Sequence, residues 1–593
     1  VAERVEFAPP LGEVPLPARN VADLLRRNAL TASSADRPAL RFGDRIWTHG
    51  DLLLEAKRFA ALFRSRLDRD RPPHVAVLLD NTPDYVFALC GAGLMGAVVV
   101  GLNHTRRGEH LARDILHTDV QLLITEPRHQ ALLETAVDGL DLPGGIFVSE
   151  RFTDDDDPPN SMGESLDREL TRAWEGCPAP DDVRPAGDVG CEPNALWALL
   201  FTSGTSAAPK AVCCTQYRLL TTGQRMATML AIGPDDVGYA SMPLFHANSL
   251  MSGLAPALVA GASLSLARRF SASRFLPDVR HFGATWFNYT GKLLVYLLAT
   301  PECDDDANNT LRIAFGNEGS PNIVESAAKR FGITIVDVFG STEGAIALDR
   351  SGSPPRGSVG RLREGIAVVD GTGREAPRAR FDDEGRLVNV EECVGEIVNT
   401  LGVGPFEGYY RNEEAMRRTT RNGWYWSGDL AYVDAEGWVY FAGRTSDWLR
   451  VDGENFPAAP IEAIVARHPD VMMASVYGVP DADSGDQVMV ALVMREGARF
   501  DGRAFAAWLI EQSDLSPKWR PRFVRQCRSL PITPTNKVLT RTLVHEKFRS
   551  DLVGGDPIHV RSGDGDYRDF TAEDERALRH AFESSGRSRS WHL

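Results

Sequence analysis

Leu199-Leu200-Phe201-Thr202-Ser203-Gly204-Thr205-Ser206-Ala207-Ala208-Pro209-Lys210 is the stretch on which the reading of the chain turns. The apolar run 196–201 reads as a buried strand. It opens into a loop holding four hydroxyls, one glycine, a proline and a terminal lysine. Hydroxyls and backbone N–H groups around a glycine form an anion cradle, and a lysine adds a point charge, so phosphate is the natural occupant. The Gly-x4-Gly-Lys-Ser/Thr spacing of a Walker A loop is missing. Moreover, Ala211-Val212-Cys213-Cys214-Thr215 reads as a second strand rather than a helix start. An ordinary Ser/Thr/Gly hairpin turn is the competing reading of the loop taken alone.

Around it lie 593 residues, too many for one core, so several domains or subdomains are expected. A hydrophobic share of 43% and a charged share of 25% fit a soluble globular protein. The net charge of −16 argues against a nucleic-acid partner held by general electrostatics. No apolar run reaches the roughly 18–20 residues that span a bilayer. Val1-Ala2-Glu3-Arg4 does not begin a charged-then-apolar signal pattern. The eight cysteines are scattered and none forms a Cys-x-x-Cys pair, so neither a disulfide framework nor a zinc site is indicated and a reducing cytoplasm is expected.

Strand and helix patterns alternate from the start. Gly43-Asp44 predicts a hairpin between 38–42 and 45–48, and strands are expected at 75–79, 98–100 and 120–124. Helices are expected at 84–95 and 111–117, so a mostly parallel α/β sheet follows. The acid runs Asp154-Asp155-Asp156-Asp157 and Asp304-Asp305-Asp306 invite a metal reading. Adjacent residues of an extended chain do not converge on one ion, so both runs are read as solvated.

Past the loop, the apolar-strand-into-turn grammar recurs. Ser241-Met242-Pro243-Leu244-Phe245-His246-Ala247-Asn248 carries one histidine, which by itself is more often a core or capping residue than part of a site. Phe315-Gly316-Asn317-Glu318-Gly319-Ser320 and Val338-Phe339-Gly340-Ser341-Thr342-Glu343 are two more such junctions. Ligands of open α/β sheets sit where carboxyl ends of strands meet turns of this kind. Three of them, with hydroxyls, a carboxylate and an aromatic ring, point to a nucleotide site. Trp424-Tyr425-Trp426-Ser427-Gly428-Asp429 leads into a hairpin ending at Gly443-Arg444. An α+β segment follows, with helices at 461–467 and 501–512 and strands at 472–476 and 488–493. Near its end, Thr533-Pro534-Thr535-Asn536-Lys537 presents one lysine from a turn. Thr571 and the acids after it predict a terminal helix stopped by Gly586.

In this order the motifs resemble the adenylate-forming superfamily of acyl-CoA synthetases, luciferases and adenylation domains. The resemblance covers nearly the whole chain and rests on five motifs: 202–210, 339–343, 427–429, 443–447 and 531–537. Asp447-Trp448-Leu449-Arg450-Val451-Asp452-Gly453-Glu454-Asn455-Phe456 is similar to the fatty-acid-transport-protein and very-long-chain acyl-CoA synthetase branch, and to bacterial fatty-acid or steroid-side-chain CoA ligases. The resemblance implies a large α/β N-terminal domain of several subdomains, 1–446, and a smaller mobile α+β C-terminal domain, 447–593. It implies that a carboxylate attacks the α-phosphorus of ATP, and that coenzyme A then displaces AMP from the acyl-adenylate. Charge neutralisation and in-line positioning should carry the first step.

Carried over position by position, Thr202, Ser203, Gly204, Thr205 and Ser206 would hold the β- and γ-phosphates, with Lys210 closing the loop. Gly316, Asn317 and Glu318 would edge the adenine, and Phe339 with Gly340 and Ser341 would lie against it. Thr342 would contact the α-phosphate and Glu343 would bind Mg²⁺. Asp429 would accept both ribose hydroxyls, helped by Arg444, because a carboxylate can accept from two donors at once. Lys537 would reach the α-phosphate and the substrate carboxylate. The acyl chain would pass His246 and the Gly283-Ala284 pair. Asp447 falls at the family's hinge, and Gly453, Glu454 and Asn455 would face the thioester step after domain rotation. Asn536 stands where the family usually has glycine, and phenylalanine replaces the commoner tyrosine at 339.

The implied substrate is a fatty or sterol-derived carboxylic acid, with no nucleic-acid partner. A dimer is compatible with the sequence, and so is peripheral contact with the inner face of the membrane. Two alternatives stand beside the CoA ligase: an acyl-AMP ligase loading a carrier protein, and a non-catalytic fatty-acid binding or uptake protein that keeps the fold.

Overall fold

The computed structural model describes residues 16–30, 35–106, 108–134, 136–137, 139–177, 192–202, 210–317, 319, 321–348, 350, 354–355, 357–383, 387–444, 448–451, 454–482, 486–512, 515–533, 538–563, 565–585 and 591. The chain divides into two compact units. Unit 1 comprises Val1–Ala345 with Val403–Arg418, and unit 2 comprises Ile346–Gly402 with Thr419–Leu593.

Unit 1 holds fourteen strands among the described residues. In chain order they are β1 (Pro38–Phe42), β2 (Arg45–Thr48), β3 (His74–Leu78), β4 (Val98–Gly101), β5 (Leu122–Thr125), β6 (Gly145–Val148), β7 (Glu164–Ser165), β8 (Leu196–Phe201), β9 (Ala211–Thr215), β10 (Val237–Ala240), β11 (Ser263–Leu266), β12 (Trp286–Thr290), β13 (Ile313–Asn317) and β14 (Thr334–Asp337). They build two seven-stranded sheets, ordered β7-β6-β5-β3-β4-β8-β9 and β14-β13-β12-β10-β11-β1-β2. Each is parallel except for one antiparallel strand at an edge, β9 or β2. The continuous apolar runs His74–Leu78 and Leu122–Thr125 are buried along their whole length, as strands covered on both faces must be.

The helix His49–Arg66 starts at a capping box in which Thr48 and Asp51 satisfy each other's backbone N–H groups. It packs closely on the helix Pro83–Met95: a Cβ added at Gly91 would lie 2.7 Å from Phe59 Cβ, so glycine sets the helix spacing. The expected hairpin at Gly43-Asp44, the strands near 75, 98 and 122 and the helix after Pro83 all form. The single sheet expected from the alternation is two sheets.

Asn81 ties the sheets together. Its side-chain amide donates to Met242 O at 2.9 Å, its side-chain oxygen accepts from Leu244 N at 2.9 Å, and its backbone N–H donates to Arg268 O at 3.2 Å. The carboxyl ends of both sheets therefore lie side by side.

The acid runs depart from the expectation. Asp157 is 4% exposed and lies 2.7 Å from Arg128, while Asp154 reaches both Arg128 and Arg268. Asp306 is 6% exposed and pairs with Arg330 at 2.6 Å. Arginines far away in sequence draw individual members of each run inward, which a local reading of the run does not see.

Unit 2 adds β15 (Gly360–Arg361), β16 (Ile366–Val369), β17 (Gly395–Asn399), β18 (Thr420–Arg421), β19 (Trp424–Val433) and β20 (Trp438–Arg444), joined in one antiparallel sheet. The ribbon β21 (Trp448–Val451) and β22 (Glu454–Pro457) follows. A five-stranded sheet comes last, with β23 (Val471–Pro480), β24 (Asp486–Met494), β25 (Phe523–Gln526), β26 (Ile558–Arg561) and β27 (Tyr567–Asp569). Its two faces are covered by the helices Ala458–Val465 and Gly502–Glu511 and by Thr540–Glu546 and Ala572–Ser584, which contribute to separate apolar clusters. The last of these helices has Thr571 as N-cap, again in a capping box, with Asp574. Gly586, expected to stop it, lies outside the described residues. Among the described residues no helix is long and apolar enough to cross a membrane.

Candidate active site

The strand–loop–strand from Leu196 to Thr215 is an antiparallel pair, β8 with β9, closed at its foot by the Thr202 N–H donating to Lys210 O at 3.1 Å. Ser203, Gly204, Thr205 and Ser206 lie outside the described residues. The segment after Pro405 pairs with β9. Cys213 N donates to Gly408 O at 2.9 Å and Tyr410 N to Ala211 O at 2.8 Å. This brings Tyr409 against the base of the loop. The Lys210 ammonium lies 5.5 Å from the centre of the Tyr409 ring, and the Tyr409 hydroxyl donates to Glu343 Oε1 at 2.7 Å. A hydrogen bond to one carboxylate oxygen fixes the orientation of the other.

The Phe339–Glu343 junction is pinned from below. Arg218, on the helix Gln216–Met229, donates to Thr342 O and to Cys213 O. Gly344 takes a left-handed φ of 69° and donates to Ser341 O at 3.1 Å, which turns the chain sharply after Glu343. Phe339 and Thr342 are half-buried and Gly340 is exposed.

The neighbouring strands are cross-linked through neutral groups and one carboxylate. Asn288 donates to Asn248 at 2.6 Å, and Asn248 donates to Tyr289 O at 3.2 Å. The Tyr289 hydroxyl donates to Asp337 at 2.7 Å, and the same carboxylate oxygen accepts from Gly319 N at 2.9 Å. Gly316 has no alternative here, because a Cβ on it would lie 2.3 Å from Tyr289 O. Asn317 is half-buried at the end of β13; Glu318 lies outside the described residues.

His246 follows β10 and caps the helix that begins at Ala247. That helix widens to a π turn over Leu250–Leu254 before continuing as Ala255–Ala260. Pro256 is the physical cause, since it lacks an N–H and its ring crowds the carbonyl four residues back. The Gly283-Ala284 pair is not brought to this edge. Gly283 is the left-handed cap of the helix Ala272–Phe282, with φ 66°, and Ala284 is fully buried before β12 begins, at the opposite end of the strand. The pair serves a helix-to-strand turn.

Two thiols lie near the loop. Burial pushes Cys213 up to about 12 and Cys214 up to about 11, so neither is a nucleophile at neutral pH.

In unit 2, Asp429 stands opposite Arg444 in the β19–β20 register and is 6% exposed. Ser427 donates to Ile397 O at 2.6 Å and accepts from Asp429 N at 3.1 Å; Gly428, with φ 75°, donates to Glu396 at 2.8 Å. Burial raises the Glu396 carboxyl above its usual value. The tight Ser-Gly-Asp corner thus fixes the backbone at Asp429. Asp447, Gly453 and Lys537 lie outside the described residues; Glu454 and Asn455 pair with Val451 and Arg450 in the β21–β22 ribbon.

Tyr409 and Arg218 were not singled out from the sequence. Gly408-Tyr409-Tyr410 follows Pro405 by three residues and carries a turn signal, but its pairing with β9, nearly two hundred residues earlier, has no local trace.

Comparison with known proteins agrees with this geometry. Residues 25–410 match the model of the AMP-binding enzyme family, and residues 460–537 match the AMP-binding enzyme C-terminal domain. The chain is 44% identical to the steroid-22-oyl-CoA synthetase of Rhodococcus jostii (strain RHA1), over 94% of this chain and 97% of that protein. It is 43% identical to the medium/long-chain-fatty-acid–CoA ligase FadD17 of Mycobacterium marinum (strain ATCC BAA-535 / M), over 89% of this chain and 96% of that protein. A benzoate CoA ligase from Burkholderia xenovorans LB400 superposes with a TM-score of 0.72 at 22% identity, covering 88% of this chain and 99% of that one, and so shares the fold. The family match spans well over half of the sequence, and the chain belongs to the AMP-binding enzyme family.

Proposed function

We propose that this protein is an ATP-dependent acid–CoA ligase that activates a long-chain, very-long-chain or steroid-side-chain carboxylic acid as an acyl-adenylate and passes the acyl group to coenzyme A. The observation that carries the reading is the Glu343 carboxylate, oriented by Tyr409 beside Lys210 at the foot of a hydroxyl-rich loop. The high identity to two CoA ligases of bulky acids supports the substrate class.

In this reading the hydroxyls and amides from Thr202 to Ser206 hold the β- and γ-phosphates, and Lys210 offsets their charge. Thr342 meets the α-phosphate, while Gly316, Asn317, Glu318, Phe339, Gly340 and Ser341 hold the adenine. Glu343 suits Mg²⁺, because its Tyr409-bound carboxylate is a fixed, hard oxygen ligand of the type this ion takes. When bound, Mg²⁺ neutralises charge on the phosphate oxygens. Asp429 accepts the ribose hydroxyls with Arg444 beside it in register. Lys537 neutralises charge between the α-phosphate and the incoming carboxylate. Asp447 acts as the hinge, and Gly453, Glu454 and Asn455 serve the thioester step. His246 and the π turn after it border the acyl chain, since π turns inside helices frequently mark functional sites.

The test is ATP–pyrophosphate exchange with fatty acids of graded length and with steroid side-chain acids, followed by AMP release with and without coenzyme A. Acid-dependent exchange and CoA-dependent AMP release are expected. Exchange without CoA thioester would point to a carrier-protein acceptor, and no exchange with any acid to a non-catalytic binding protein.

A further inference from the structure

Asp80, His104 and His129 come together at the carboxyl ends of β3, β4 and β5 of the first sheet, and none of them is among the residues assigned to ATP. One ligating atom from each lies within 4.8 Å of the others. His129 Nε2 is 2.9 Å from Asp80 Oδ1 and 3.4 Å from Glu126 Oε1. The imidazole of His104 stacks on that of His129, with 5.1 Å between centres and 8° between planes. The Asp80 and His129 side chains are about nine-tenths buried, whereas His104 is half-buried and gives solvent access.

We propose that these three side chains form a binding site for a divalent transition metal of the Zn²⁺ type. Two imidazole nitrogens and one carboxylate are the donor set of zinc, and they disfavour the oxygen-seeking Mg²⁺ that accompanies ATP. Ligands of a tetrahedral ion held at 2.0–2.1 Å are about 3.3 Å apart. The His129–Asp80 spacing is already close to this; the other ligand atoms have up to about 1.5 Å to close, and the His104 ring must turn out of its stack on His129 to point a nitrogen at the ion. The ion takes the place of the proton shared between His129 Nε2 and Asp80 Oδ1, which leaves to solvent. Glu126 or a water completes four-fold coordination.

Local charge favours a cation. Arg128 lies 3.3 Å from Asp80 Oδ2, 2.6 Å from Asp154 and 2.7 Å from Asp157. Arg268 lies 2.7 Å from Glu126, 3.3 Å from Asp154 and 4.0 Å from Asp80. Four carboxylates therefore face two guanidiniums, and the same arginines brace the candidate ligands Asp80 and Glu126 from behind. His104 meets the Phe245 ring edge-on at 5.3 Å between centres, and Phe245 contacts the His246 ring at 4.6 Å. An ion here would stiffen the turn that carries His246.

The test is a titration of chelator-treated full-length protein with ZnCl₂ by calorimetry, with the thermal melt followed in parallel. The expected result is one equivalent bound at this site, a raised melting temperature, and an affinity weaker by at least about tenfold in His104→Ala. Half-exposed His104 is chosen because its loss leaves the Asp80–His129 bond intact; His104→Gln is the second variant, and it must weaken binding as well. Cys303→Ser tests the other grouped donors among the described residues, Cys303, Asp305 and Asp306, and should leave binding unchanged. No bound Zn²⁺, affinity unaltered in both His104 variants, or binding abolished by Cys303→Ser would each overturn the proposal.

Discussion

The carboxyl ends of the two sheets of unit 1 lie side by side but are held in different ways. On the first sheet, Asp80, Glu126, Arg128, His129 and Arg268 are cross-linked by ion pairs, with Asp154 and Asp157 drawn in. On the second, Asn248, Asn288, Tyr289 and Asp337 are linked by amide and hydroxyl donors. Ion pairing satisfies most charges internally and leaves the β3–β5 part of the first edge with excess carboxylate. Amide and hydroxyl hydrogen bonds hold the second edge in shape without engaging Glu343, while Lys210 lies on the first sheet between β8 and β9, beyond β4 from the ion-paired cluster. The difference separates the braced, cation-seeking cluster at the ends of β3, β4 and β5 from the hydrogen-bonded edge that leads to Phe339–Glu343.

Substitutions should break the two edges differently. Glu343→Gln keeps shape and the Tyr409 contact but removes charge; ATP–pyrophosphate exchange should fall by about 10²–10³-fold while the melting temperature holds. A loss under tenfold would contradict the role given to Glu343. Arg268→Met strikes the braced edge. Removing one partner of a buried pair leaves Glu126 without its guanidinium, so unfolding free energy should drop by about 3 kcal/mol by denaturant titration. If the drop stays under about 1 kcal/mol, the edge is not held by charge.

Tyr409→Phe keeps the ring over Lys210 and deletes the bond to Glu343. Exchange should weaken by a factor equivalent to about 0.5–1.5 kcal/mol, with a higher Mg²⁺ requirement, and an unchanged Mg²⁺ dependence would remove Tyr409 from the account.

The smallest effect concerns Asp84, beside the first edge. Burial pushes its carboxyl up to about 6 despite Arg151 at 3.1 Å and the Ser149 hydroxyl. Because the folded value exceeds the unfolded one, its contribution to stability is present below about pH 4 and is lost as pH rises through about 6. Between pH 5 and 7 the protein should lose about 1 kcal/mol more than Asp84→Asn does. Parallel pH profiles for the two would contradict this.

Much of this contrast was open to sequence reasoning on one side only. The second edge is legible because its residues end or follow apolar strands directly: Gly316 and Asn317 at the end of β13, and Phe339 to Glu343 after β14. The hydroxyl loop and the Asp429 hairpin have the same local character. The first edge is not legible, since it is made by pairs such as Arg268–Glu126, 142 residues apart, and acids that look solvated in their own neighbourhood. Tyr409 fails for the same reason.

The ordering of the two half-reactions is the centre of the account, and one single-turnover experiment addresses it. Enzyme in excess over a long-chain or steroid side-chain acid is mixed with Mg²⁺ and ATP, quenched, and assayed for acyl-AMP by mass spectrometry before and after coenzyme A is added. Acyl-AMP should accumulate without coenzyme A and convert to acyl-CoA, with one AMP per thioester, once it is supplied. Formation of acyl-CoA with no acyl-AMP at any time, or acyl-AMP that coenzyme A leaves untouched, would contradict it.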